Sequence, residues 1–390
     1  MLYRNYAAIA LCITLFLYLA WSSPVALAQT LPAETVPAFT DLCLQRSSLP
    51  AITQQTVTVL LQKAQTSSCL EATQTLSHIT VLELSDRRLV DLSPLRSLTR
   101  LTALNLDQNQ IVDLSPLMAL TDLTELHLSE NRVADLSSLR SLTHLTKLFL
   151  IKNRLTDLEP LQALTELNEL FLIGNRVDDI SPLRSLTSLT TLLLSDNRIN
   201  DLSPLEPLRY LVILGLRRNR ISDLSPLKTL TKLMELNLGE NEITDLEALR
   251  SLTQLSKLVL SDNQIADLSA LRSLHQLTQL DLRHNEVSDL NPLNRLTQLR
   301  ELTLDDNRLM DISAMRSLKN LTDLSLSANQ IADIGALRSL IHLTNLTLNR
   351  NQITDINALK SLTKLQKLDL AKNAIGQPIC PVASDSICHF

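Results

Sequence analysis

The chain has 390 residues, of which 45% are apolar and 20% charged, and its formal net charge is −5 at pH 7. This combination of apolar content and low net charge predicts a folded chain rather than a disordered one. A mildly acidic chain lacks the basic footprint of a nucleic-acid-binding domain, so we expect no nucleic acid among its partners.

The N-terminus predicts an export signal. Arg4 precedes an uncharged run over residues 7–21, and an Ala-Leu-Ala sequence at 26–28 provides a small-residue cleavage site. We therefore predict a secretory signal peptide over residues 1–28 and a secreted or periplasmic location. An uncleaved membrane anchor is the alternative, but the run is shorter than the roughly 20 residues that a span needs. We expect no stable membrane span after cleavage.

Residues 29–78 lack the repeat that follows and predict a helical N-terminal cap. The sequence TVTVLLQKAQ at 56–65 has helical character. Ser68 and Glu71 form a capping-box pattern that predicts the start of a second short helix.

Four cysteines remain after the signal, two on each side of the repeats: Cys43, Cys69, Cys380 and Cys388. An even number suits disulfides in an oxidising compartment, and position in the chain favours Cys43–Cys69 and Cys380–Cys388. A metal site is the rival interpretation, but the cysteines form no close Cys-x-x-Cys pair.

Residues 79–375 consist of about fourteen units of a 22-residue repeat, L-T-x-L-x-L-x-x-N-x-I-x-D-L-S-P-L-x-x-L-T-x. The first unit has Arg87 at the asparagine position. In the other units the asparagine recurs without a slip, at Asn109, Asn131, Asn153, Asn175, Asn197, Asn219, Asn241, Asn263, Asn285, Asn307, Asn329, Asn351 and Asn373.

Each part of the unit predicts a local structure. The alternating x-L-x-L-x segment predicts a short strand with leucines on one face, and strands of successive units are expected to pair in a parallel sheet about 4.8 Å apart. The asparagine is expected to hydrogen-bond buried backbone groups and so form a ladder along the stack. In the Ser-Pro sequence we expect serine to cap a short turn and proline to occupy its first position. Because 22 residues leave little room for an α-helix, we expect 3₁₀ turns.

An aspartate follows each asparagine except the last by four residues, from Asp113 to Asp355. A calcium site would need six to eight oxygens around one point, which a column of single carboxylates does not ensure. We expect each aspartate to organise its own turn through hydrogen bonds to nearby backbone. A stack of such units needs capped ends, and residues 376–390 are expected to form the C-terminal cap.

The pattern, seen for example in LTELHLSENRVADLSSLRS at 123–141, resembles the leucine-rich repeat superfamily, in the 22-residue class of bacterial internalins and a phosphatase regulatory subunit. The resemblance implies an α/β solenoid with a concave parallel β-sheet, 3₁₀ or short turns on the convex side, and binding of other proteins. It does not specify a ligand.

The outward positions of four successive strands carry an unusual set of apolar residues. We call this set the apolar patch: Phe149, Ile151, Phe171, Ile173, Leu193 and Ile213. Alternation directs these side chains away from the leucine core, and contiguous apolar surface with central aromatic residues is typical of an interface. Drift on a tolerant surface, or burial against a neighbouring loop, is the alternative.

Basic residues run beside the patch. An arginine follows the asparagine in five successive units, and three further basic residues lie nearby. The members of this basic stripe are Arg132, Arg154, Arg176, Arg198, Arg220, Lys152, Arg217 and Arg218. It suggests guidance of an acidic partner, and a solvated face paired with nearby acids is the alternative.

The chain shows no nucleophile–base–orienter arrangement and no phosphate loop, so we predict a binding module rather than an enzyme, with no cofactor and no metal. A structural envelope or matrix protein that self-associates through the patch is a second hypothesis. A carbohydrate-binding role is weaker, because sugar sites favour more Trp and Tyr than these strands carry. The partner itself is not specified by the sequence.

Overall fold

The computed structural model describes residues 38–376, 379–382 and 387–390. The predicted signal peptide and the first part of the predicted N-terminal cap lie outside the described residues. No helix in the described part of the chain is both long enough and apolar enough to cross a bilayer.

In the described part of the chain, three α-helices precede the repeats: α1 (Phe39–Leu44), α2 (Ala51–Lys63) and α3 (Cys69–Leu76). Ser68 accepts a hydrogen bond from the Glu71 N–H at 3.4 Å, which caps α3. Only this half of the predicted capping box forms, because the Glu71 carboxylate accepts a hydrogen bond from the Thr66 hydroxyl at 2.6 Å. The Cys43–Cys69 disulfide joins α1 to the start of α3.

Strands then alternate with 3₁₀ turns. The strands are β1 (Val81–Glu83), β2 (Ala103–Asn105), β3 (Glu125–His127), β4 (Lys147–Phe149), β5 (Glu169–Phe171), β6 (Thr191–Leu193), β7 (Ile213–Gly215), β8 (Glu235–Asn237), β9 (Lys257–Val259), β10 (Gln279–Asp281), β11 (Glu301–Thr303), β12 (Asp323–Ser325), β13 (Asn345–Thr347), β14 (Lys367–Asp369) and β15 (Cys388–His389). They form one sheet in chain order, and every pair is parallel. The predicted parallel sheet and 3₁₀ turns are confirmed.

The core is a column of leucines between the sheet and the turns. The central leucine of each strand from β1 to β14 is buried, and Leu148, Leu170 and Leu192 lie in register across β4, β5 and β6. Each unit pairs with the next at a constant offset, so one unit covers the leucines of its neighbour. No unit has a core of its own, as expected for a stacked repeat.

The asparagine ladder connects the units. The Asn175 side-chain NH₂ donates to the carbonyls of Leu150 and Leu172, both at 2.9 Å, and its Oδ1 accepts from the Leu155 N–H at 3.1 Å. Leu150 and Leu155 belong to the preceding unit, so the side chain satisfies backbone groups that the strand leaves free where it ends. Contacts of this kind recur along the ladder from Asn109 to Asn373.

The predicted serine cap of the turns is wrong. The turn Ser115–Ala119 begins at the serine itself, and its N-cap residue is Leu114. Asp113 does the capping, because it accepts the Ser115 N–H at 2.8 Å and the Ser115 hydroxyl at 2.9 Å. The aspartate column therefore organises the turns, as predicted. Hydrogen bonds from the serine two residues later lower the pKa of several of these carboxyls, at Asp135, Asp223, Asp267 and Asp311.

Both ends of the stack are covered. The hydroxyls of Thr53 and Thr56 in α2 donate to the side chain and the carbonyl of Asp91 in the first unit, at 2.5 and 2.6 Å. At the other end β15 pairs with β14, and the Cys380–Cys388 disulfide closes the tail beside it. Both disulfides join the cysteines that the sequence pairs by position.

Candidate partner-binding surface

A row of side chains crosses strands β3 to β7 at the position four residues before each asparagine. His127 faces Phe149, Phe149 faces Phe171, Phe171 faces Leu193 and Leu193 faces Gly215 in the strand register. The His127 and Phe149 rings stack at 4.1 Å between centroids, and the Phe149 and Phe171 rings at 4.5 Å. The near-parallel rings form a continuous apolar face on the outer surface of the sheet.

Ile151 and Ile173 form a second row beside the rings. The Lys152 N–H donates to the Ile173 carbonyl at 2.7 Å, which keeps the two units in register beyond the short strands. Ile213 begins β7 on the same surface. The structure thus brings all six residues of the apolar patch onto one surface of four adjacent units, with Ile151 and Ile173 two residues past the ends of β4 and β5.

The patch is less exposed than alternation alone suggests. All six residues are half-buried, although alternation directs their side chains away from the leucine core. The reason is the strand spacing, since side chains about 4.8 Å apart cover each other's flanks. The patch therefore exposes only the edges of its side chains and phenyl rings, and neighbouring side chains hold them in place before a partner binds.

A depression of about 320 Å³ opens at one end of the patch. Ile173, Leu193 and Ile213 form its apolar wall, and Gly215 lies among the lining residues. A Cβ atom at position 215 would lie 2.9 Å from Leu193 Cδ2, so any larger residue would displace that side chain. The missing side chain of Gly215 keeps the depression open, and its volume is large enough to admit an apolar side chain of a partner.

His127 bounds the opposite end of the patch. Its Nε2 lies 2.7 Å from Glu125 Oε1, and its Nδ1 lies 3.7 Å from Asp107 Oδ2. Contact with Asp107, and to a smaller extent with Glu125, raises the pKa of His127 above its ordinary value of 6.5, although partial burial opposes the shift. The imidazole is thus the terminal ring of the stack, and it is also a titratable group.

The basic stripe divides into paired and unpaired members. Arg218 bridges Asp196 and Glu240 at 2.8 and 2.7 Å, and Arg217 also contacts Glu240. Lys152 contacts Glu130 at 2.7 Å. The other five members are exposed, and within the described residues their side chains form no ion pair: Arg132, Arg154, Arg176, Arg198 and Arg220. We call these five the arginine row.

Comparison with known proteins agrees with this architecture. The sequence profile described as "Leucine rich repeat" matches residues 209–265, and the profile "Leucine Rich repeats (2 copies)" matches 121–163, 143–185, 253–295, 297–339 and 341–379. An internalin, InlF of Listeria monocytogenes, is 32% identical over 86% of this chain and 95% of its own, with a TM-score of 0.70. The chain belongs to the leucine-rich repeat family, and its repeats are internalin-like.

Two further solved structures share the leucine-rich repeat architecture. The functional domain of InlJ from L. monocytogenes, which includes a cysteine ladder, is 26% identical over 78% of this chain and 70% of its own, with a TM-score of 0.68. The leucine-rich repeat protein LIC12759 of Leptospira interrogans is 25% identical over 79% of this chain and 94% of its own, with a TM-score of 0.66. A search of curated protein sequences gives no match.

The turn side of the leucine-rich repeats has a larger cavity, of about 690 Å³, between two successive turns. Part of its charged lining is already engaged, since Arg250 contacts Glu247 at 2.8 Å and Asp223 accepts the Ser225 N–H at 2.8 Å. This cavity is therefore a weaker candidate than the depression on the sheet, which is continuous with the stacked rings.

Reasoning from the sequence missed the depression and the division of the basic stripe. Gly215 is the one glycine at the position four residues before each asparagine. A single glycine in a strand indicates a gap in the surface or a close approach by another group. The ion pairs also had a signal in the repeat. Asp196, Arg218 and Glu240 occupy one column of successive units, so opposite charges meet, whereas the arginine row places arginine beside arginine.

Proposed function

We propose that this chain is an extracytoplasmic binding module that recognises another protein through the outer sheet surface of strands β4 to β7. The observation that carries the proposal is the apolar patch with its depression, because it is continuous and its side chains are already packed. Aromatic side chains at the centre of a patch are common anchors in protein interfaces. Side chains fixed before binding lose little conformational entropy at the interface.

The surroundings support this assignment. Beyond β9 the same sheet surface is polar and internally bonded, as where Arg283 contacts Asp281 at 2.6 Å and Asp305 accepts the Ser327 N–H at 2.7 Å. Several exposed apolar residues on other surfaces, such as Val112, Met118 and Ile341, belong to different columns of the repeat. Single exposed apolar residues are ordinary on protein surfaces, whereas a contiguous set is not.

Two disulfides, one in each cap, support a location outside the reducing cytoplasm. This fits the signal peptide predicted for residues 1–28. In such a location the rigid sheet would serve recognition rather than catalysis.

The test is affinity capture from the native exported fraction with the wild-type chain and a variant carrying Phe149→Ser, Phe171→Ser and Ile173→Ser. We expect a captured protein that the variant binds at least about 30-fold more weakly, as loss of central anchors implies. The matched control carries Val112→Ser, Met118→Ser and Ile341→Ser, which removes three more exposed apolar side chains elsewhere and should bind like wild type.

Thermal melting first establishes that both variants keep the wild-type fold. Equal capture by all three proteins would contradict the proposed surface. If no protein is captured and only the wild type shows a concentration-dependent mass in analytical ultracentrifugation, self-association through the patch replaces recognition of a different protein.

A further inference from the structure

The arginine row is a run of five exposed arginines on successive units, and none of them has an ion pair within the described residues, whereas Lys152, Arg217 and Arg218 beside them are paired. Its members lie on successive units at one edge of the sheet, and each directly follows an asparagine of the ladder. The acids nearest in the neighbouring column, Glu130 and Asp196, are already engaged by Lys152 and Arg218. Five guanidiniums therefore remain without an ion pair, on backbone positions about 4.8 Å apart from unit to unit.

The row lies beside the apolar patch. Arg154 follows Ile151 by three residues, and Arg176 follows Ile173 by three. Three residues of extended chain span at most about 11 Å, so the backbone of each of these arginines lies within about 11 Å of an isoleucine of the patch. One partner segment can therefore contact both surfaces.

A second copy of this chain is a poor partner for the arginine row, because the acidic part of the same sheet edge has few free carboxylates. Beyond β8 the edge carries Glu242, Asp262, Glu286 and Asp306. Asp262 and Asp306 contact His284 at 2.9 and 3.1 Å, and Glu286 contacts Arg308 at 3.1 Å. Three of these four carboxylates are satisfied within the chain, and the remaining one, Glu242, cannot balance five arginines. The complement to the arginine row must therefore come from another molecule.

We propose, on the basis of the function proposed above, that the partner is an acidic protein segment in which an apolar side chain is flanked by Asp or Glu. The apolar side chain enters the depression beside Gly215, and the flanking carboxylates pair with the arginine row. Arginine binds carboxylates with two parallel hydrogen bonds, which fixes the segment relative to the depression. A sulfated or phosphorylated polymer would satisfy the row but would leave the depression empty, so the observations favour a protein.

The experiment selects binders from a displayed library of random peptides with the purified chain. We expect the enriched peptides to combine Asp or Glu with Leu, Ile or Phe. The affinity of the best peptide should fall about tenfold or more in the variant with Arg154→Gln, Arg176→Gln and Arg198→Gln, and its dependence on salt should weaken. Gly215→Val, which fills the depression, should reduce the affinity by a similar factor.

A matched control removes the same charge from the turn side. Arg272→Gln, Arg316→Gln and Arg338→Gln replace three exposed arginines that also form no ion pair within the described residues. This variant should bind the best peptide within about twofold of wild type, because long-range screening leaves little effect at a distance.

The outcomes separate this inference from the proposed function. Enriched peptides that are apolar, lack acids and lose binding only in Gly215→Val would overturn the acidic partner and leave the binding surface in place. Acidic peptides that bind Gly215→Val as well as wild type, and that heparin displaces equally from both, would overturn both ideas in favour of a polyanion site. A selection that enriches no peptide counts against recognition of a linear segment.

Discussion

His127 is the residue at which the apolar row meets charge. It stacks on Phe149 on one side and contacts Asp107 and Glu125 through its two nitrogens. Because its pKa is raised in the folded chain, the protonated imidazole stabilises the fold at pH values below the ordinary value of 6.5. That contribution is lost as the pH rises through the raised pKa.

Titration by NMR should therefore give a midpoint for His127 above 6.5. Asp107→Asn removes the larger cause of the raised pKa, so the His127 midpoint in this variant should move back toward 6.5. The melting temperature of His127→Gln should fall below that of wild type mainly under acidic conditions, and the difference should shrink as the pH rises. A wild-type midpoint at or below 6.5 would show that burial outweighs the two carboxylates.

The asparagine ladder is the element that joins one unit to the next, and Asn175 is a buried member of it. Asn175→Ala removes two donors and one acceptor and leaves the Leu150 carbonyl and the Leu155 N–H without partners. The Leu172 carbonyl keeps its hydrogen bond from Asn197. Each buried unsatisfied group costs about 1–3 kcal/mol, so we expect a loss of about 2–4 kcal/mol after local relaxation.

Urea unfolding monitored by circular dichroism measures this loss. Hydrogen exchange at the Leu155 amide should accelerate in the same variant. Asn200→Ala in the next unit is the matched control, because Asn200 is exposed and should change stability by less than about 0.5 kcal/mol. Similar losses in both variants would mean that the ladder contributes no more than an ordinary surface asparagine.

Much of this element structure follows from spacing. Leu170 and Leu172 are buried where the two-residue alternation places them, because side-chain direction in a strand is fixed by position. The turn cap was harder to predict, since serine and aspartate both cap helical turns. Asp113 accepts from both the backbone and the hydroxyl of Ser115, which serine alone cannot do.

The candidate site was only partly predictable. The column that contains Phe149 and Phe171 is readable from the repeat, but the half-burial of the rings depends on contacts between neighbouring strands. The depression requires the space next to Leu193 and Ser195, which a glycine in the sequence signals without giving its dimensions. Charge pairing depends on side-chain rotamers as well as on columns.

At the scale of the whole molecule, the ends determine whether the stack persists. Every leucine-bearing unit has a neighbouring unit on both sides, except the first and the last. An uncovered end would expose a layer of leucines to water. The helices of the N-terminal cap contribute Phe39, Val57 and Leu60 to the core, whereas the C-terminal cap adds a two-residue strand. We therefore expect the N-terminal cap to protect more apolar surface and to matter more for stability.

The two disulfides allow a matched test of this expectation. Cys43–Cys69 closes a separation of 26 residues and Cys380–Cys388 one of 8, so chain entropy predicts about 3.5 and about 2.5 kcal/mol of stabilisation. Replacing each pair by alanines should lower the urea midpoint, with the larger shift for Cys43→Ala/Cys69→Ala. Since loosening the first cap also uncovers Leu82 and Leu84, amide exchange should accelerate first in the earliest repeats of that variant. A larger shift from the C-terminal pair, or exchange that accelerates equally along the stack, would show that the N-terminal helices do not act as the dominant cap.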